Sequence, residues 1–182
     1  MLANFVLFQI GWFACVLGGA RDWPWLGTSI AMMIVGWHVV RAARPRVELI
    51  LILLAAGIGA VFDSVLVAVG WVEYASGTLL PGTAPHWIIA SWMLFAATLN
   101  VILRWLRRSR LAAVALGAVG GPLAYWSGAR LGAMVFVVPI AATTAIAFGW
   151  AVLTPCLMWL AQCFDGYERM PAEGMPSEPR RA

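Results

Sequence analysis

The sequence has few charged residues and no lysine. Charged residues make up 11% of the 182, and arginine supplies all 12 basic side chains. A soluble domain averages about 25% charged residues. Hydrophobic residues reach 63% and the mean hydropathy is +0.87, which is more apolar surface than a soluble core of this size could bury. The composition therefore excludes a soluble globular protein and predicts one that is immersed in lipid.

Catalytic and cofactor-binding motifs are also missing. The sequence contains no nucleophile elbow, Walker loop, HExxH motif or dinucleotide fingerprint. His38 and His86 are its two histidines and are expected near opposite membrane faces, which argues against a histidine-rich iron or zinc enzyme. Cys156 and Cys163 lie about two helical turns apart, too far for a disulfide. We therefore expect no metal and no cofactor, and a non-enzymatic role is favoured.

Long apolar runs recur along the chain. A transmembrane helix needs about 20 apolar residues to cross about 30 Å of hydrocarbon. By this measure residues 1–164 are predicted to form an all-α, polytopic membrane bundle of about six helices. The predicted spans are Ala3–Ala20, Trp23–Val40, Val47–Gly70, His86–Trp105, Leu111–Ser127 and Pro139–Cys163.

Two segments fall outside these spans. Gly128–Val138 separates the last two and is expected to form an outer loop or a short partial helix. Residues 165–182 are polar and include three prolines, so we expect a disordered cytoplasmic tail.

Arginines concentrate in alternate connections of the predicted bundle. The second connection, the fourth connection and the tail carry Arg41, Arg44, Arg46, Arg104, Arg107, Arg108, Arg110, Arg169, Arg180 and Arg181. The other connections carry Arg21 and Arg130. The positive-inside rule therefore predicts that both termini are cytoplasmic. The same placement accounts for the net charge of +4 without nucleic-acid binding.

Ionisable residues within a membrane span are costly and are functional candidates by default. Asp63 lies about 24 Å along the third span from Val47, in the outer half of the membrane. Tyr125 and Arg130 are expected at a similar depth near the end of the fifth span. We predict a polar site in which Asp63 pairs with Arg130 and Tyr125 bridges them. A purely structural pair and a proton, ion or substrate site are both open interpretations.

A secondary candidate site is predicted at the cytoplasmic side. His38 lies near the inner end of the second span, Glu48 lies in the first turn of the third span, and Asn100 lies near the inner end of the fourth. A histidine and a carboxylate could serve as acid and base. Alternatively, the three residues are structural. The Glu48 carboxylate would then stabilise the start of its helix through the helix dipole, His38 would lie at the level of the lipid headgroups, and Asn100 would form a hydrogen bond between packed helices.

The fifth span has helix-weakening residues at mid-membrane, namely Gly117, Gly120, Gly121 and Pro122. They indicate either the broken helix of a transporter site or a packing kink between close helices. Most tryptophans are expected in interfacial belts, whereas Trp12, Trp92 and Trp126 are candidates to line a pocket for a lipid or another apolar ligand.

Several stretches resemble a known bacterial family. They include Phe8-Gln9, Gly57–Asp63, Ala84–Trp87 and above all Gly120–Tyr125. With these, the chain resembles the uncharacterised inner-membrane proteins grouped as domain-of-unknown-function family 2878. The resemblance implies a small multi-span protein of the bacterial inner membrane with no assigned catalytic residues. Because some relatives are encoded beside enzymes that modify membrane fatty acyl chains, it also implies a link to lipid metabolism or envelope stress.

Three functions are consistent with the sequence. The first is an accessory or scaffold subunit whose partners are membrane lipids and either another membrane protein or a second copy of the chain. The second is a small transporter or lipid-binding protein that uses Asp63 and the kinked fifth helix. The third is a membrane-embedded enzyme that uses His38 and Glu48.

Overall fold

A computed structural model describes residues 2–168, so the predicted disorder of residues 169–182 lies outside the described residues. Residues 2–168 form six α-helices, one 3-10 helix and two short strands. The helices are α1 (Leu2–Ala20), α2 (Pro24–Val40), α3 (Pro45–Ala68), α4 (His86–Leu99), α5 (Arg110–Arg130) and α6 (Pro139–Cys163). The strands are β1 (Val72–Tyr74) and β2 (Met134–Phe136), and the 3-10 helix is Arg104–Arg108. The predicted all-α bundle is confirmed.

Prolines and glycines explain where these helices start and how closely they pack. Pro24, Pro45 and Pro139 each lie in a first helical turn, where the missing N–H costs no hydrogen bond. Gly27 of α2 lies against α1, where a Cβ atom would approach the Ala14 carbonyl oxygen to 2.4 Å. A glycine is therefore needed for α1 and α2 to lie this close.

Helix α4 is the centre of the bundle. It packs against α1, α2 and α3, and most of its side chains are buried. The prediction that this helix extends to Trp105 is wrong, because it ends at Leu99. The Thr98 carbonyl oxygen accepts hydrogen bonds from the N–H groups of Ile102 and Leu103, at 2.8 and 2.9 Å, and these bonds close a turn instead of continuing the helix.

The outside of the bundle is apolar, as expected for a membrane protein. Val61, Ile140 and Phe148 are 67%, 84% and 74% exposed. Four helices (α1, α3, α5 and α6) are long and apolar enough to cross a bilayer, whereas α2 has 17 residues and α4 has 14. The number of membrane spans is therefore about four to six.

The segment Gly128–Val138 contains a strand, so the prediction of a loop or partial helix is wrong. Helix α5 continues to Arg130, and a turn with Gly132 at φ 87° leads into β2. Strand β2 pairs antiparallel with β1, with Tyr74 opposite Met134. Each strand has three residues, which is too short an alternation to be recognised from sequence.

Helix α5 is continuous through Pro122, so it is not the broken helix of the transporter alternative. Its glycines permit close packing on α6. A Cβ atom on Gly117 would lie 2.1 Å from the Trp150 carbonyl oxygen, and one on Gly121 would lie 2.4 Å from the Trp150 ring. Gly120 differs, because no heavy atom lies within 4 Å of the position of its Cβ.

Candidate functional site

Asp63 is completely buried in α3, and three other elements donate hydrogen bonds to it. The Tyr74 hydroxyl of β1 donates to Oδ1 at 2.6 Å, and the Tyr125 hydroxyl of α5 donates to the same oxygen at 2.7 Å. The Trp92 indole of α4 donates to Oδ2 at 2.7 Å. Neutral donors therefore satisfy both oxygens, which is the condition for keeping a carboxyl group in an apolar interior.

The predicted ion pair between Asp63 and Arg130 is not formed, so that prediction is wrong. Arg130 is exposed at the end of α5 and makes no ion pair within residues 2–168. The cause is helix geometry, because Arg130 follows Tyr125 by five residues and therefore points about 140° away from it around α5. The sequence indicates the proximity of Asp63 and Tyr125 but not that of Tyr74 and Trp92, because the approach of these two residues to Asp63 depends on tertiary packing.

The three residues of the secondary candidate meet at the opposite end of the bundle. His38 Nε2 lies 2.9 Å from Glu48 Oε1, and the Asn100 side-chain amide donates to Glu48 Oε2 at 2.7 Å. His38, Glu48 and Asn100 are all buried, with exposures of 2%, 0% and 2%. The structure thus brings together the residues that the sequence placed at this end.

The first residues of the predicted tail close over this polar cluster. Asp165 is buried and accepts hydrogen bonds from Arg104 and from Arg107, the latter at 2.8 Å. The Gly166 N–H donates to Glu48 Oε2 at 3.0 Å, and the Tyr167 hydroxyl donates to the His38 carbonyl oxygen at 2.7 Å. The expectation of disorder is therefore wrong for residues 165–168, because they satisfy buried polar groups of the bundle.

The charges around this segment set its pKa values. Burial by itself raises the pKa of Asp165, but the hydrogen bonds from Arg107 and Arg104 outweigh it and leave the pKa below its ordinary value. Burial and the nearby Glu48 raise the pKa of Tyr167 to about 12, so its hydroxyl stays protonated at neutral pH. Asp165 is thus an anion that holds two arginines, and Tyr167 is a neutral donor.

Little free space adjoins the polar cluster. The cavity beside His38 has a volume of about 10 Å³, which is about the minimum for one water molecule. Within residues 2–168, no group of three or more His, Cys, Asp or Glu side chains is placed to hold a metal ion. The contact between His38 and Glu48 joins the end of α2 to the start of α3.

A much larger cavity lies between α1 and α5. Its volume is about 320 Å³, within the range of about 300–1,000 Å³ that is typical of small-molecule sites. We call it the slot. Its main lining residues are Phe5, Phe8, Trp12 and Val16 of α1, Trp87, Ser91, Trp92, Phe95 and Thr98 of α4, Leu116, Gly117, Gly120, Gly121, Ala124, Tyr125 and Gly128 of α5, and Trp150 and Thr154 of α6.

The slot is long and opens to the outside of the bundle. Its lining extends from Phe5 to Val16 on α1 and from Leu116 to Gly128 on α5. These distances are about 16 and 18 Å along the helix axes. Phe5 and Leu116 also belong to the exposed apolar surface, with exposures of 50% and 39%. The slot therefore opens between α1 and α5 toward the surroundings of the bundle, which in a membrane are lipid chains.

Asp63 is linked to the slot through its hydrogen-bond donors. Trp92 and Tyr125 both line the slot and both donate to Asp63. Trp92 also stacks on Trp150, with ring centroids 4.6 Å apart and planes 20° apart. Asp63 does not line the slot, but its hydrogen bonds orient two aromatic side chains that do. Of the three tryptophans predicted to line a pocket, Trp12 and Trp92 line the slot, whereas Trp126 donates to Thr143 on the exposed side of α5.

The family model described as "Protein of unknown function (DUF2878)" matches residues 1–156. The chain belongs to the DUF2878 family. The resemblance seen in the sequence is thereby confirmed. No curated protein and no solved structure matches the chain.

The region that matches DUF2878 contains the whole slot lining and Asp63 with its three donors. It also contains His38, Glu48 and Asn100. The segment from Asp165 to Tyr167 lies beyond it. This DUF2878 protein therefore closes the polar cluster of His38, Glu48 and Asn100 with residues that the family model does not include.

Proposed function

We propose that this protein binds a membrane lipid by enclosing one of its hydrocarbon chains in the slot. The observation that carries the proposal is the elongated apolar cavity whose side opens between α1 and α5. The atoms that line an empty cavity lack dispersion contacts on one side, and a hydrocarbon chain in the cavity supplies these contacts. The elongated shape suits a linear chain, and the aromatic rings of Trp12, Trp92 and Phe95 supply broad contact surfaces.

The proposed site lies in the bacterial inner membrane, in a multi-pass bundle with both termini cytoplasmic. Arginines from two different connections contact the same residue, Asp165. Arg44 donates to its carbonyl oxygen at 2.5 Å, and Arg107 donates to its side chain. The connections near Arg44 and Arg107 therefore meet at the same end, and the positive-inside rule assigns that end to the cytoplasm.

The alternatives have less support from the geometry. An enzyme that uses His38 and Glu48 lacks room for a substrate beside them. A transport pathway through Asp63 lacks an opening, because Tyr74, Trp92 and Tyr125 surround its carboxyl group. An accessory role beside another membrane protein, and assembly into a homo-oligomer, stay predictions from the sequence.

Filling the slot tests the proposal directly. In Gly120→Leu the new side chain enters the slot without striking the backbone, because no heavy atom lies within 4 Å of the Cβ position. Gly57→Leu is the matched control, since Gly57 is an exposed mid-helix glycine on α3, it has the same free space, and it does not line the slot.

The measurement is crosslinking of a lipid that carries a photoreactive group in its acyl chain to the purified protein. We expect Gly120→Leu to reduce crosslinking by roughly tenfold or more, and Gly57→Leu to leave it at the wild-type level. Peptide mapping of the wild-type adduct is expected to find the label on slot residues. Equal crosslinking of the two variants, or labels confined to the outer face of α3, would contradict lipid binding in the slot.

A further inference from the structure

The inner mouth of the slot adjoins a cluster of arginines. Leu103 lines the slot, and the 3-10 helix begins at the next residue, Arg104. On the other side of the mouth, Arg110 precedes Gly128, which lines the slot beside Met134, by 18 residues on α5. Eighteen residues make about five full turns, so Arg110 lies on the same side of α5 as Gly128, at the arginine-rich end of the helix. The apolar channel therefore ends beside basic side chains.

Positive charge at this mouth exceeds the negative charge available to it. Residues 104–110 contain four arginines, and the carboxylate of Asp165 pairs with Arg104 and Arg107. Arg108 and Arg110 are exposed and form no ion pair within residues 2–168. These two side chains are therefore available to an anion that approaches from the membrane surface.

The start of α5 adds to this excess. Its first turn contains no acidic residue and holds Arg110 instead. The amino-terminal end of a helix carries a partial positive charge, so an arginine there is unfavourable by itself and an anion is favourable. Ser109 caps the helix by accepting a hydrogen bond from the Ala112 N–H at 3.2 Å, and among residues 2–168 the N–H groups of Arg110 and Leu111 have no partner.

We propose that the lipid in the slot is an anionic phospholipid whose phosphate binds Arg108 and Arg110. This inference rests on the proposed function, because the headgroup is placed by a chain that lies in the slot. The chain extends from the mouth at Leu103 and Leu116 toward Trp87, and the phosphate lies at the membrane surface below the mouth. A zwitterionic lipid would bring its ammonium group toward the same arginines and bind less well.

The test compares two lipids with identical chains, phosphatidylglycerol and phosphatidylcholine, as competitors of a labelled lipid on the full-length protein in detergent micelles. We expect wild type to prefer phosphatidylglycerol by roughly fivefold for each contributing arginine. The preference should fall as salt is added. In Arg108→Gln with Arg110→Gln, the preference for phosphatidylglycerol over phosphatidylcholine should disappear. Arg110→Lys should retain part of the preference.

Arg46→Gln is the matched control, because Arg46 is exposed in the first turn of α3 and does not line the slot. We expect it to keep the wild-type preference.

Equal binding of both lipids to wild type, with both lost in Gly120→Leu, overturns the headgroup inference and leaves lipid binding in the slot intact. Failure of wild type to bind either lipid overturns both. Displacement of phosphatidylglycerol by inorganic phosphate alone, with no dependence on the acyl chain, would identify a free anion as the occupant and also overturn the inference.

Discussion

Asp63 shows how a single carboxyl group can position two walls of a cavity that it does not line. Burial, and then the charge of Asp63, raise the pKa of Tyr74 well above its ordinary value, so the phenol stays a hydrogen-bond donor. The Tyr125 hydroxyl and the Trp92 indole complete the set of donors. Because Trp92 and Tyr125 are also walls of the slot, the shape of the slot depends on a residue that does not line it.

Replacing Asp63 by Asn tests this positioning role. The amide oxygen of Asn can still accept hydrogen bonds in place of one carboxylate oxygen. The NH₂ group takes the place of the other oxygen and faces a second donor, either the Trp92 indole or the tyrosine hydroxyls, so no hydrogen bond forms there. We expect a loss of about 1–3 kcal/mol in the free energy of unfolding and weaker lipid crosslinking in the slot. The measurements are thermal unfolding in detergent and the crosslinking yield.

Tyr74→Phe is the comparison variant for Asp63→Asn. It removes one donor to Asp63 but leaves Trp92 and Tyr125 in place, so it should lower stability with little effect on crosslinking. If Asp63→Asn and Tyr74→Phe lower stability equally and neither changes crosslinking, Asp63 stabilises the fold without shaping the slot.

Asp165 predicts a pH dependence of stability. Its pKa is lowered in the folded protein, so its bonds to Arg104 and Arg107 stabilise the fold above its ordinary pKa of about 4. This contribution is lost as the pH falls through the lowered pKa. We expect Asp165→Asn to be less stable than wild type by about 2 kcal/mol at neutral pH, and the difference to disappear in acid. Thermal unfolding of both proteins across pH checks it, and a difference that does not change with pH would contradict it.

Residue-level inference from the sequence succeeded where chemistry alone marks a position. Asp63, His38 and Glu48 were recognised because polar groups are rare in apolar spans, and the structure gives each of them a polar partner. Their partners were harder to predict. Tyr74 lies outside every apolar run. The pairing of Asp63 with Arg130 assumed that the fifth helix ends at Ser127, but α5 continues to Arg130 and turns this side chain away from Tyr125.

The packing of whole helices depends on which face carries the glycines. Gly117 and Gly121 bring α5 onto α6, whereas Gly120, one position away from Gly121, faces the slot. Adjacent glycines in one helix therefore serve different purposes, close packing and free volume. The sequence indicated a weakened fifth span but not this division, because it follows from the direction of α6 relative to α5.

Alanine substitutions can separate the two purposes. In Gly117→Ala the new methyl group would strike the Trp150 carbonyl oxygen at 2.1 Å, so α5 and α6 must move apart. We expect a loss of about 1–3 kcal/mol of stability, as for other overpacked sites. Gly120→Ala meets no heavy atom within 4 Å and should be neutral or slightly stabilising. Thermal unfolding in detergent distinguishes them, and equal stabilities would contradict the packing account of Gly117.

Helix boundaries show the same contrast between local and tertiary causes. Prolines at positions 24, 45 and 139 mark the starts of α2, α3 and α6, and these starts were predicted to within two residues. The end of α4 was missed because the chain turns at the Thr98 carbonyl oxygen, next to Asn100, whose side chain bonds Glu48, 52 residues earlier in the chain. No local signal in an apolar run reports such a contact.

For the molecule as a whole, the number of membrane crossings depends on whether the short helix α4 crosses the membrane. Its 14 residues make a helix of about 21 Å, shorter than the hydrocarbon layer. However, the Trp87 indole donates to the Ser76 carbonyl oxygen beside the β1–β2 ribbon, and Asn100 donates to Glu48 at the arginine-rich end. Helix α4 therefore connects the two ends of the bundle, and protein surrounds it for most of its length. A buried helix does not need to match the bilayer by itself, because its neighbours shield its ends from lipid.

This geometry predicts six crossings, which cysteine labelling in intact cells can check. In a variant that lacks the three native cysteines, Gly82→Cys lies in an exposed connection before α4, and Ser109→Cys lies in an exposed connection after it. We expect an impermeant maleimide to label Gly82→Cys from outside and Ser109→Cys only after the membrane is permeabilised. Val47→Cys, at the inner end of α3, should behave like Ser109→Cys. Labelling of Gly82→Cys and Ser109→Cys from the same side would mean that α4 returns without crossing, and it would remove the arginines of the 3-10 helix from the cytoplasmic surface on which the proposed headgroup site depends.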